Sequence, residues 1–199
     1  STTTYYVQSE IDNFLIENVG PANNTIGGGG YFTNTNIHGL LFNAETDITI
    51  VSAYIYVGAT ANKTITVKDS DDQTVASVTV NVPTGGARVT LNLDVPAGTG
   101  YKLLGPASPN MYRNNSGASY PYSIDGVVSI TGCTATDQAF YYYFYDIEVE
   151  YNNACTSSRT PVTATINPIP TDVTVTGGGT QCGGTATLTA TGGTGGTIY

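Results

Sequence analysis

Apolar and polar residues alternate along this chain at period two, and β-branched and aromatic side chains supply most of the apolar positions. That period lines one face of an extended strand with apolar groups, and helix-period stretches are hard to find. ITIVSAYIYV (48–57) predicts a strongly buried strand. KTITVKD (63–69) alternates Ile65 and Val67 with polar neighbours, and DSDD turns the chain into TVASVTVNV (74–82). After PTGG comes RVTLNLDV (88–95), so these four pieces predict an antiparallel meander with short connections.

GVVSI (126–130) reads as a short strand and AFYYYFYDIEVEY (139–151) as a long aromatic one. The first 47 residues are less regular: YYVQ and NFLIE read as edge strands, NNTIGGGGYFTN as a flexible loop, and HGLLFNA as a return to the core. The connection from 96 to 125 is too long for a hairpin loop, a length that usually means function or internal structure. YKLL within it would add a strand, which leaves NMYRNNSGASYPYSIDG (110–126) as the largest polar-aromatic loop. A boundary falls near Pro168 and Pro170, because NPIPTD cannot continue a central strand. Beyond it the chain offers two short strands around a glycine turn, too few to close a sandwich, so 168–199 reads as the opening of another module.

The formal net charge of −9 argues against binding a phosphate backbone, and the six cations, Lys63, Lys68, Arg88, Lys102, Arg113 and Arg159, are scattered; no nucleic-acid partner is expected. No run of about 18 apolar residues exists to span a membrane directly. Ser1 is followed by no apolar targeting segment, and a chain rich in Thr, Gly and Tyr with few lysines reads as a mature or excised piece of an extracellular β-protein. Cys133 and Cys155 bracket the tyrosine-rich strand and would close a disulfide in an exported chain; the alternative is a pair of buried free thiols, and Cys182 is left over.

Catalytic signals are weak. The single histidine, His38, reads as structural, no G-x-S-x-G elbow occurs, and Asp146, Glu148 and Glu150 share one strand face when a glycosidase needs two facing carboxylates. No enzyme activity and no obligatory cofactor are expected. Asp69, Asp71 and Asp72 could offer oxygens to Ca²⁺, although a solvated hairpin turn is the plainer account. Tyr112, Arg113, Asn114, Asn115, Tyr120 and Tyr122 combine flat apolar faces with directional hydrogen-bonding groups. They could hold a glycan or another adhesion substrate; alternatively the tyrosines cover a core edge and Arg113 stacks or pairs internally.

HGLLFNAETDITIVSAYIYV, ITVKDSDDQTVASVTVNVPTGGARVTLNLDVPAGTGYKL, MYRNNSGASYPYSIDGVVSITG and YYYFYDIEVEY together resemble a β-sandwich module repeated in very large cell-surface adhesins of gliding Bacteroidetes, substrates of the type IX secretion system. The resemblance spans roughly residues 35–151. CTSSRTPVTATINP resembles the segment joining such a module to immunoglobulin-like repeats, and GGGTQCGGTATLTATGG resembles the first strands of one. The resemblance implies a secreted, bacterial cell-surface localisation and a non-catalytic segment acting in attachment or gliding as spacer or contact module. The secretion or gliding machinery and adjacent repeats of the same chain are its implied partners. The runner-up is a carbohydrate-binding module, possibly attached to a polysaccharide-degrading enzyme. The expected fold is all-β: a two-sheet antiparallel β-sandwich, jelly-roll-like, over 1–167, then a partial immunoglobulin-like module over 168–199.

Overall fold

Period-two alternation is realised as strands throughout the computed structural model, which describes residues 2–165, 173–178 and 187–192. The strands run β1 (Thr2–Val7), β2 (Glu10–Ile11), β3 (Phe14–Val19), β4 (Gly29–Phe32), β5 (Gly39–Ala44), β6 (Ile48–Ile55) and β7 (Ala61–Lys68). They continue with β8 (Thr74–Val82), β9 (Ala87–Val95), β10 (Gly98–Leu104), β11 (Met111–Asn114), β12 (Tyr122–Ile124) and β13 (Val128–Cys133). Last come β14 (Tyr141–Tyr142), β15 (Tyr145–Asn152), β16 (Cys155–Thr156), β17 (Thr160–Thr165), β18 (Val173–Thr176) and β19 (Thr189–Gly192). Residues 11–155 form one unit, and residues 1–10 group with 156–199 in a second, so the first unit interrupts the second in sequence. Sequence reading set its only boundary at 167, beyond β17.

The 11–155 unit is an antiparallel β-sandwich. One sheet has the order β12-β13-β5-β10-β7-β8 and the other β3-β15-β6-β9. A three-stranded sheet, β14-β11-β4, continues from the second: β14 runs into β15, and Tyr112 N donates to Tyr56 O just past β6 (2.9 Å). β8 lies against β9 and β12 against β3, so the two sheets meet along both sides. Alternation explains the core. Leu40, Phe42, Ile65, Val67, Leu103 and Ile130 from one sheet and Ile50, Ile55, Leu93, Ile147 and Val149 from the other are all 3% exposed or less. Each such burial is worth about 1.5–3 kcal/mol before conformational entropy is subtracted.

The predicted meander is not what forms. β7 and β8 do make a hairpin, but β6 pairs with β9 and β15, and the 83–86 turn carries the chain from one sheet to the other. Alternation fixes which face of a strand is buried and leaves its partners open. NNTIGGGGYFTN is likewise no simple loop, since Gly29–Phe32 is β4. The aromatic strand breaks between β14 and β15, where Tyr143 takes a left-handed φ of 67°.

The expected Cys133–Cys155 disulfide is absent, and both are free thiols. Cys133 closes β13, paired with Leu40 in the six-stranded sheet, and its Sγ faces the Asp137 carbonyl at 3.5 Å. Cys155 is exposed past the end of β15, which belongs to the other sheet.

The sandwich begins and ends on neighbouring strands. β3 pairs with β15 from Val19↔Ile147 to Phe14↔Asn152, and Asn153 N donates to Asn13 O at 2.8 Å. Within the second unit β1 and β17 also pair, from Thr2↔Thr165 to Val7↔Thr160, with Tyr5, Tyr6 and Val162 exposed. There too β18 pairs with β19. Cys182 and most of the expected immunoglobulin-like repeat lie outside the described residues.

Candidate functional site

The 110–126 stretch enters the fold through β11, which lies between β4 and β14. Alternation along β11 sets Tyr112 and Asn114 on one face and Arg113 on the other, and with Asn115 just past the strand, Tyr120 in the following loop and Tyr122 opening β12 the six predicted contact residues fall into two groups.

Asn114 is fully buried. Its amide donates to Asn24 O (2.9 Å) and Gly27 O (2.8 Å), and its Oδ1 accepts from Tyr145 OH (2.8 Å). Tyr120 OH donates to Phe140 O (2.9 Å), and Tyr122 OH accepts from Ser119 N (2.9 Å). The Tyr120 ring stacks on buried Tyr141, with Tyr122 edge-on to both. Tyr112 packs edge-on to Tyr31 at 5.6 Å. These four residues are anchors: the rings of Tyr112, Tyr120 and Tyr122 pack against the core, and the polar atoms of Asn114, Tyr120 and Tyr122 bond within the domain. Burial pushes the phenols of Tyr120, Tyr141, Tyr143 and Tyr145 well above their ordinary value.

Arg113 and Asn115 form the second group. The Arg113 guanidinium lies over the rings of Phe32 and Phe140, 4.7 Å from each centroid, and over Tyr142 at 5.6 Å. Nη1 donates to Tyr142 OH (2.9 Å). Among the described residues no carboxylate lies within 4 Å of this cation; the ion pairs there belong to Arg88 and Lys102. Arg113 opens on a surface concavity of about 210 Å³ shared with Gly30, Thr33, Asn34 and Asn115. Sequence reading missed Gly30, which stands directly opposite Arg113 in the ladder; a Cβ there would meet nothing within 4 Å, whereas one on Gly29 would strike the Arg113 carbonyl.

His38 is structural. It stacks on Tyr142 at 4.8 Å and shares a 3.0 Å hydrogen bond with Thr134, and its pKa is lowered by burial first and by the Arg113 charge second.

The aspartates of the 69–72 turn do not converge on one point. Asp69 Oδ1 accepts from Asp71 N (2.9 Å) and Gln73 N (2.8 Å), an Asx turn, while Asp72 pairs with Lys102 at 2.6 Å. Among the described residues no group of three His, Cys, Asp or Glu is arranged to hold a metal ion.

Two of the three carboxylates considered for glycosidase chemistry are engaged as well. Asp146 and Glu148 both pair with Arg88, and Ser52 Oγ donates to Glu148 Oε2 (2.5 Å). Asn18 Nδ2 completes the cluster by donating to Asp146 Oδ1 (2.7 Å). Two bulges build it: Asp146 and Asn92 each sit at φ 47°, a conformation that Asp and Asn tolerate better than most residues. An Asn or Asp inside a strand pattern was the available signal. No family model matches the chain, and no curated protein matches it.

Proposed function

We propose that the sandwich is a non-catalytic contact module of a secreted bacterial adhesin and not an in-line spacer. The observation that supports this is the adjacency of its ends. A spacer in series carries tension from one end of a domain to the other, whereas here the incoming β3 and outgoing β15 lie side by side. The flanking strands β1 and β17 also pair with each other, so tension on the chain passes across that ladder before it reaches residues 11–155. A domain relieved of the load can devote its surface to contact. Its carboxylates held by Arg88 and its inward-bonded tyrosines fit a rigid framework better than turnover.

The test is excision. Residues 11–155 are replaced by a short Asn-Gly turn that lets β1 and β17 close as a hairpin, and surface display and attachment of the producing cell are measured. Display should persist while attachment is lost; attachment at its original level would sink the contact reading.

A further inference from the structure

We propose that the concavity beside Arg113 binds the carboxylate of an acidic saccharide, an inference that rests on the contact-module reading above. Three observations converge. First, Arg113 carries a charge with no carboxylate partner within 4 Å among the described residues, in a chain of formal net charge −9. Second, Phe32 and Phe140 flank the guanidinium and Tyr142 OH takes one donor, which fixes the group and leaves further in-plane N–H groups available. A fixed guanidinium edge is matched in shape and charge by a carboxylate, which accepts two parallel hydrogen bonds.

Third, the space in front of it is polar and small. At about 210 Å³ it accommodates a single sugar unit, and Thr33, Asn34 and Asn115 contribute a hydroxyl and two amides, groups suited to ring hydroxyls. Among the described residues, the side chains of Thr33 and Asn115 make no hydrogen bond, and Asn34 uses its Oδ1 to accept from Thr35 while its amide nitrogen donates to nothing. Asn114, one residue from each of Arg113 and Asn115, has its polar atoms fully engaged. The glycine at position 30, directly opposite Arg113, keeps the approach open.

The experiment titrates the full chain with a panel of hexuronate oligosaccharides, their carboxyl-reduced neutral counterparts and a glutamate-rich peptide. At least one hexuronate should bind, the reduced form should bind about tenfold or more weakly, and binding should weaken as salt is raised. Because Arg113→Met could disturb the aromatic packing, the decisive variant is Gly30→Asp. Its Cβ meets nothing within 4 Å, it sets a carboxylate across the ladder from Arg113, and it should abolish binding without destabilising the fold. Equal affinity for acidic and neutral sugars, undiminished binding by Gly30→Asp, preference for the peptide, or no hexuronate bound would each overturn the assignment. Loss of attachment on excision without hexuronate binding would leave the contact reading standing and remove this one. Hexuronate binding with attachment unaffected would do the reverse.

Discussion

Asn114→Ala is the perturbation to which the sandwich should be most sensitive. The side chain is fully buried and ties three segments together through Asn24 O, Gly27 O and Tyr145 OH. Truncation removes three hydrogen bonds, each worth about 1 kcal/mol net, and strands two carbonyls and one hydroxyl in a site of low polarity. A water entering the vacated space can satisfy part of that set, so the expected loss is about 3–4 kcal/mol. For a domain of this size that is a fall of about 6–16 °C in Tm. Urea unfolding followed by near-ultraviolet circular dichroism of the tyrosines gives the value directly. Asn114→Asp retains the acceptor for Tyr145 but loses both donors and buries a charge, so it should be at least as destabilising. Combined with Tyr145→Phe, Asn114→Ala should show a coupling of about 1 kcal/mol, because the two changes delete one shared bond. A loss below about 1 kcal/mol for Asn114→Ala would refute the view that this residue anchors the long connection.

Tyr143 OH is buried and, among the described residues, has no hydrogen-bond partner, so Tyr143→Phe should stabilise the domain by about 1 kcal/mol in the same urea assay. Lys63 points inward beside Ile65, and burial lowers its pKa; a depressed lysine pKa makes stability rise with pH, and Lys63→Met should add about 0.5–1 kcal/mol at neutral pH and flatten that rise. Tyr120, Tyr141, Tyr143 and Tyr145 have raised pKa values, so the unfolded chain loses their protons first. Stability is then intact below about pH 10 and falls above it by about 1.4 kcal/mol per pH unit for each, visible as cooperative alkaline unfolding with phenolate absorbance. A maleimide should label Cys155 in the native chain and reach Cys133 only after unfolding, as peptide mapping would show.

Much of the sandwich was legible in the alternation. TVASVTVNV coincides with β8, RVTLNLDV with most of β9, and HGLLFNA with β5. What the alternation cannot carry is partnership: Ile48–Ile55 has the same pattern whether it pairs with β7 or, as it does, with β9 and β15. Glycine hid β4, because a strand of GGYF holds its place by backbone pairing with β11 and by close approach at Gly29, and neither leaves a hydrophobic trace. The contact loop was half legible for a related reason. Residue types identified Arg113 and Asn114 as polar groups among tyrosines, and only the strand face separates the one that opens outward from the one that bonds inward.

The adjacency of β3 and β15 also makes the sandwich portable. A domain whose ends are neighbours fits into the turn of almost any β-hairpin without stretching its host, so it can be grafted as a cassette or lost by a clean deletion. Its ends could equally be joined between Asn13 and Asn153 and the chain reopened at another exposed turn, leaving a circular permutant with the same core.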